Sequence, residues 1–167
     1  DFAAHKHRDQ RRKGVEASPY INHPIDLANI LCNEGGITDP VILAAALLHD
    51  TLEDTKTSWE ELRGQFGEEI ADVVAEVTDT KWIKQKDTRK RLQISKASHS
   101  SVCARAVKIA DKISNLRDIL TSPPSDWPLE RKQAYFDWAK QVVDGVRGSY
   151  PQLEQRFDAL YRQRPTT

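Results

Sequence analysis

Apolar positions recur with a helical period along almost the whole chain, and no run alternates with the period of two that marks a half-buried strand. Gly and Pro fall mainly between these helical patterns. The pattern predicts a first helix from Asp1 to Lys13, ended near Gly14, and then an irregular stretch, Ser18-Pro19-Tyr20-Ile21-Asn22-His23. A helix follows from Pro24, a residue favoured in a first turn, with Ile25, Leu27, Ala28, Ile30 and Leu31 running to a stop at Gly35-Gly36. Thr38 or Asp39 caps an apolar helix from Pro40 to about Leu52, which has too few polar positions for a surface helix and so reads as central. Ser58-x-x-Glu61 is a capping box opening a short helix up to Gly67. Glu68 to about Asp79 carries Ile70, Val73, Val74 and Val77 on one face. Lys81 to Arg91 is strongly charged and reads as a loop leading into a helix. Val102 to Leu120 carries Val107, Ile109, Ala110, Ile113 and Leu116. Pro123-Pro124-Ser125-Asp126 breaks the chain before two last helices, Pro128 to Val146 and Tyr150 to Arg162. With no internal repeat and no long linker, the expectation is one all-α domain.

Composition narrows the function. A chain of 167 residues can bury a sizeable core as one domain. Lys+Arg and Asp+Glu are both 25, so no global field attracts nucleic acid, and a general DNA or RNA binder is not expected. No stretch is long and apolar enough to span a bilayer and no signal-peptide pattern opens the chain, so no membrane partner is expected. Cys32 and Cys103 lie far apart, form no ligand pair and read as packing residues, which fits a reduced, cytoplasmic compartment best. The chain starts at Asp1 and contains no Met, so an initiator and a few further residues are expected before it.

The candidate chemistry centres on His49-Asp50-x-x-Glu53-Asp54, at the end of the apolar run Ile42 to Leu48. In a helix of about 3.6 residues per turn, His49 lies one turn from Glu53 and Asp50 one turn from Asp54. An acidic knot emerging from an apolar stretch is costly if buried without a counter-charge, and a divalent cation removes that cost. His23, before the Pro24 helix, and Asp111, after the mostly apolar Val107 to Ala110, complete a mixed nitrogen and oxygen set with His49 and Asp50. Such a set suits manganese, iron or zinc better than calcium. Glu53 and Asp54 are then free to orient or deprotonate a water. Taken singly, each of these residues is explained as solvated surface or a helix cap; together they favour a metal-dependent hydrolase. Arg8-x-x-Arg11-Arg12-Lys13 reads, from composition alone, as a solvated basic face at a helix end, with a phosphate or base-stacking site as the alternative. His5, His7 and His99 sit in polar surroundings and read as exposed, whereas Arg131 and Tyr135, one turn apart, project together.

Four ordered motifs carry a family resemblance: Gln10-Arg11-Arg12-Lys13-Gly14, Tyr20-Ile21-Asn22-His23-Pro24, Leu47 to Thr55 around the His-Asp cluster, and Lys108 to Arg117 around Asp111 and Asn115. In order and spacing they resemble the HD-superfamily hydrolase domain of RelA/SpoT proteins, and in particular the stand-alone small alarmone hydrolases. The resemblance implies Mn²⁺ held by His23, His49, Asp50 and Asp111, with Glu53 and Asp54 activating the attacking water. That water would attack the phosphorus on the ribose 3′ oxygen of (p)ppGpp, releasing pyrophosphate and GDP or GTP. It further implies Arg12, Lys13, Asn115, Arg131 and Tyr135 as substrate contacts, with a family lysine corresponding to Lys84 or Lys86, of which Lys86 joins the expected set. Removal of the 2′-phosphate of NADPH, a related phosphomonoester reaction, is the alternative within enzymes. A nucleotide-binding regulatory module without turnover is the alternative outside them, and retention of Glu53 and Asp54 argues against it.

Overall fold

The computed structural model describes residues 1–14, 16–79 and 83–166, and these are helical with no strand among them. The axis of the fold is the helix α8 (Val102–Thr121), whose Ala104, Ala106, Val107, Ile109, Ala110, Ile113 and Leu116 are all buried. Ser101 caps it by accepting from the Ala104 N–H, a device worth about 1 kcal/mol. Against α8 pack α2 (Asn22–Asn29), α3 (Pro40–Leu48), α6 (Glu68–Val77), α9 (Leu129–Asp144) and α10 (Pro151–Tyr161). Asp39 caps α3 through the Val41 N–H at 2.8 Å, and Ser58 caps α5 (Trp59–Phe66) through the Glu61 N–H at 3.2 Å, both as the sequence predicts. The charged stretch does lead into a helix, α7 (Lys86–Ala97), pinned to α9 where the Trp138 indole donates to the Lys90 carbonyl. The start of that stretch, Lys81, lies outside the described residues.

Three boundaries depart from the expected ones, and each shapes the site. The first helix, α1 (Phe2–Lys6), is much shorter than Asp1 to Lys13. The basic run beyond it offers almost no apolar side chain to bury, and short helices without such a face are not held. Instead Arg11 pairs with Pro19 as an isolated antiparallel bridge, and the Arg12 and Tyr20 N–H groups donate to the Ser18 and Gln10 carbonyls. Helix α2 begins at Asn22 rather than Pro24, so His23 sits in its first turn and is buried. Finally, α3 stops at Leu48. Asp50 takes φ −99°, ψ 0°, and a short helix, α4 (Thr51–Asp54), restarts after it. That sparsely populated conformation is common at functional sites.

Helix α2 runs on into a π-helical turn, Ile30–Glu34, closed by Gly35. The predicted stop there has a packing cause: a Cβ on Gly35 would lie 2.9 Å from Leu153 Cδ2 and 2.8 Å from the Leu31 carbonyl. Gly64, within α5, has nothing within 4 Å of the same position. Thermal unfolding of Gly35→Ala is therefore expected to show a loss of about 1–3 kcal/mol through overpacking. Gly64→Ala is expected to gain up to about 1 kcal/mol from helix propensity alone. Equal melting temperatures for the two variants would refute this account of the α2–α10 contact.

Candidate metal centre and active-site cleft

Three helices deliver the polar groups to one point. His23 comes from the first turn of α2, His49 from the end of α3, and Asp111 from the middle of α8. One ligand atom from each lies within 4.8 Å of the other two. Asp50 joins them, its Oδ2 at 2.8 Å from His49 Nε2. The structure thus gathers all four residues that the sequence singles out.

The hydrogen bonds around this point dictate which atoms are free. The His49 Nδ1 donates to the Ala46 carbonyl at 2.8 Å, which leaves Nε2 as a lone pair. That Nε2 is buried and has no hydrogen-bond partner among the described residues, even with the Asp50 oxygen so close. A buried lone pair facing a carboxylate is unfavourable unless a positive charge lies between them. The residues therefore fit a divalent ion, and the mixed imidazole and carboxylate set suits a first-row metal. His23 Nδ1 lies 3.1 Å from the Ser114 hydroxyl and its Nε2 faces Asp111 Oδ1 at 3.1 Å. Burial pulls the His23 imidazole below its ordinary range, with Asp111 opposing. Burial alone would raise Asp111, yet Lys112, His23 and His49 hold it well below the usual carboxylate range. Lys112 does so directly, donating to Asp111 Oδ2 at 2.7 Å while its ammonium sits 4.3 Å from the Trp138 ring centre. Asn115 donates to Asp111 Oδ1 at 2.6 Å, and the Tyr20 hydroxyl donates to Asp50 Oδ2.

A cleft of about 700 Å³ opens from Asp50. Glu53 and Asp54 line it together with Arg12, Lys13, Lys86, Asn115, Trp127 and Tyr135. The break at Asp50 means these acids do not continue the α3 helix. Glu53 accepts from the Asp79 N–H at 3.1 Å, and burial, with Asp79, Asp50 and Asp54 adding their charge, pushes its carboxyl up to about 7. Asp54 is exposed and accepts from Gln10 Nε2 at 2.7 Å. Arg12 is held by Asp118 and donates to Asn115 Oδ1 at 3.1 Å, so the basic loop and α8 share one network. Partial burial lowers Lys86, and the charges of Arg131 and Lys13 lower it further. Burial also pushes the Tyr135 phenol up to about 12.

Arg131 is the exception among the expected contacts. It does not line the cleft but stacks on Trp127 at 4.4 Å, and the indole, which also neighbours Tyr135, faces the cleft in its place. Residue reasoning missed Trp127, Tyr20, Asp118 and Lys112; Tyr20 and Asp118 meet partners distant in sequence, Asp50 and Arg12, whereas Lys112 adjoins Asp111 and Trp127 lies one helical turn's length from Arg131. His7 corrects a second expectation: it is buried, not exposed, because the short α1 ends there and turns its ring onto Tyr20 at 4.9 Å.

The sequence pattern of the HD domain family matches residues 1–135. The chain belongs to the HD domain family. It is 53% identical over 167 residues to guanosine-3′,5′-bis(diphosphate) 3′-pyrophosphohydrolase MESH1 of Homo sapiens, covering 100% of this chain and 93% of that one. The guanosine-3′,5′-bis(diphosphate) 3′-pyrophosphohydrolase of Aquifex aeolicus is 38% identical over 123 residues, 71% of this chain and 17% of the relative. Among solved structures, a metazoan ortholog of SpoT described as hydrolyzing ppGpp superposes with a TM-score of 0.94 at 48% identity, covering 98% and 91% of the two chains. No described helix of this HD domain is long and apolar enough to cross a membrane.

Within the HD domain the phenol on Asp50 is the testable part of the centre. Titration of divalent cation into the metal-free protein, followed calorimetrically, is expected to give no binding for His49→Ala. Tyr20→Phe is expected to bind roughly 10–100-fold more weakly than the parent, as outer partners of ligands commonly do. Parent-like affinity in Tyr20→Phe would remove Tyr20 from the centre.

Proposed function

We propose that this protein hydrolyses the 3′-diphosphate of guanosine 3′,5′-bis(diphosphate) or its pentaphosphate analogue, releasing pyrophosphate and GDP or GTP. The observation that carries the reading is that Asp50, in contact with His49 of the candidate ion pocket, also lines a cleft shared by Glu53 and Asp54 and by basic and aromatic side chains. The names of the full-length relatives support the substrate.

His23, His49, Asp50 and Asp111 would hold the ion, and Mn²⁺ is our assignment because it accepts imidazole and carboxylate together and keeps open positions. A bound divalent ion supplies Lewis-acid polarisation of a phosphoryl oxygen and a lowered pKa for water. Glu53, with its raised carboxyl, is suited to take a proton from the attacking water near neutrality, and Asp54 orients that water beside it. The water attacks the phosphorus bonded to O3′ and the P–O3′ bond breaks. Its hydroxyl joins the released pyrophosphate and its proton ends on O3′. Arg12, Lys13 and Lys86 offset the phosphate charge, and Asn115 faces the ribose and phosphate. Tyr135 and Trp127 form the aromatic wall, with Arg131 contributing through Trp127. A reducing, cytoplasmic setting belongs to this proposal, supported by the two free thiols, Cys32 and Cys103.

The test is incubation with ppGpp and Mn²⁺, with a chelator control, and separation of products by anion exchange. Metal-dependent release of GDP and pyrophosphate is expected. No turnover by metal-loaded protein would overturn the reading and turn attention to the 2′-phosphate of NADPH. Glu53→Gln is expected to keep its metal while kcat falls about 10²–10⁴-fold. Stability supplies an independent check on the same residue. An acid raised from 4.5 to about 7 in the folded state binds more protons than in the unfolded chain across that window, so stability falls as pH rises through it. Metal-free Glu53→Gln is therefore expected to melt above the parent at about pH 8 and with it at about pH 4, where both side chains are neutral.

A further inference from the structure

His7 is nearly fully buried at the end of a helix of only five residues, and its Nε2 has no hydrogen-bond partner among the described residues. An apolar side chain would fill this place without that cost. What the imidazole gains is on its other nitrogen. Nδ1 lies 2.7 Å from Gln10 Oε1, and Gln10 Nε2 lies 2.7 Å from Asp54 Oδ2. A carboxylate can only accept, so the amide nitrogen of Gln10 must face Asp54 and its oxygen must face His7. The proton on His7 therefore sits on Nδ1. The Gln10 backbone is fixed as well, donating to the His7 carbonyl at 2.9 Å and accepting from the Tyr20 N–H at 3.0 Å. Asp54, by contrast, is exposed at the end of a four-residue helix, and Gln10 is its side chain's one hydrogen-bond partner among the described residues.

We propose that His7 and Gln10 are positioning residues, a relay from His7 Nδ1–H to Gln10 Oε1 and from Gln10 Nε2–H to Asp54 Oδ2 that holds the Asp54 carboxylate in one orientation and leaves Oδ1 free for the reacting water. The same imidazole packs on Tyr20, whose hydroxyl holds Asp50, so one buried ring steadies an acid of each kind. The catalytic part of this inference rests on the hydrolysis proposed above; the relay itself does not.

The test compares His7→Asn, whose amide nitrogen reproduces Nδ1–H, with His7→Gln, which does not, and adds Gln10→Ala with and without Asp54→Asn. His7→Gln and Gln10→Ala are expected to lower kcat for ppGpp about 10-fold or more with KM little changed, as misplacement of a reacting group does. His7→Asn is expected to stay within about 3-fold of the parent. In the Asp54→Asn background Gln10→Ala is expected to cost nothing further, because the two changes act on one interaction. Full multiplication of the Gln10 and Asp54 effects, or equal loss in His7→Asn and His7→Gln, would overturn the relay. Because Gln10 is at the surface, its variant keeps the test open if His7 variants fold poorly. Nitrogen NMR of the parent imidazole separates the two proposals: absence of ppGpp turnover sinks the hydrolysis reading, whereas a proton found on Nε2 rather than Nδ1 sinks the relay.

Discussion

Two carboxylates and two imidazoles meeting in a largely buried space set the terms for everything around them. Removing ions from water costs several kcal/mol each even after relaxation, and only charge-compensating geometry repays it. Here the compensation comes from α8, from α3 and from the segment before α2. Lys112 and Asn115 on α8 engage both oxygens of Asp111, Tyr20 engages Asp50, and Ser114 and the Ala46 carbonyl turn the two imidazoles. What these contacts leave unsatisfied among the described residues of the centre is the His49 Nε2 lone pair, a need that a cation would meet. The rest of the fold follows: α8 must be central because it carries Asp111, and α2 and α3 must meet it at their ends because those ends carry His23 and His49.

The break at Asp50 divides one short sequence cluster into two chemical jobs. Had α3 continued, His49 and Glu53 would lie one above the other on a single face, and all four polar groups would compete for the same ion. With Asp50 at φ −99° and Thr51 restarting the helix, His49 and Asp50 turn toward His23 and Asp111 while Glu53 reaches across to the Asp79 N–H. Glu53 is then partly buried among like charges with no cationic hydrogen-bond partner among the described residues, which is why its carboxyl rises, whereas Lys112 and the imidazoles hold that of Asp111 down. Similar residues acquire opposite proton affinities from position alone.

Legibility in the sequence tracked how local each cause was. The capped helices, the Gly35 stop and the long α8 could be read because caps and periodicity are short-range signals. The convergence of His23, His49, Asp50 and Asp111 could be anticipated because an acid knot beside an apolar helix is anomalous wherever it folds, and the family resemblance pointed to the residues of the cleft. The end of α1 could not, because propensity alone allows helix through Lys13, and the missing apolar face together with the bridge to Pro19 decides otherwise. The burial of His7 follows from that same turn, and so escaped as well. Arg131 shares α9 with Tyr135 but lies over the Trp127 indole, and a partner supplied by the loop before α9 is not a local signal.

That loop and the Arg11–Pro19 bridge share a property that matters for a nucleotide site. Both are irregular segments tied down by side chains from regular ones: Arg12 by Asp118 and Asn115 of α8, Trp127 by Arg131 and Tyr135 of α9. A cleft wall made this way presents cations and rings without requiring a continuous apolar face behind them. Arg12 in particular is already bonded to Asp118 and Asn115, so a phosphate arriving beside it meets a guanidinium whose orientation is fixed in advance. The ordering cost of that side chain is met on folding rather than on binding. The same Asn115 that receives Arg12 donates to Asp111, which makes the proposed phosphate-binding side and the proposed ion-binding side two ends of one hydrogen-bonded chain at α8.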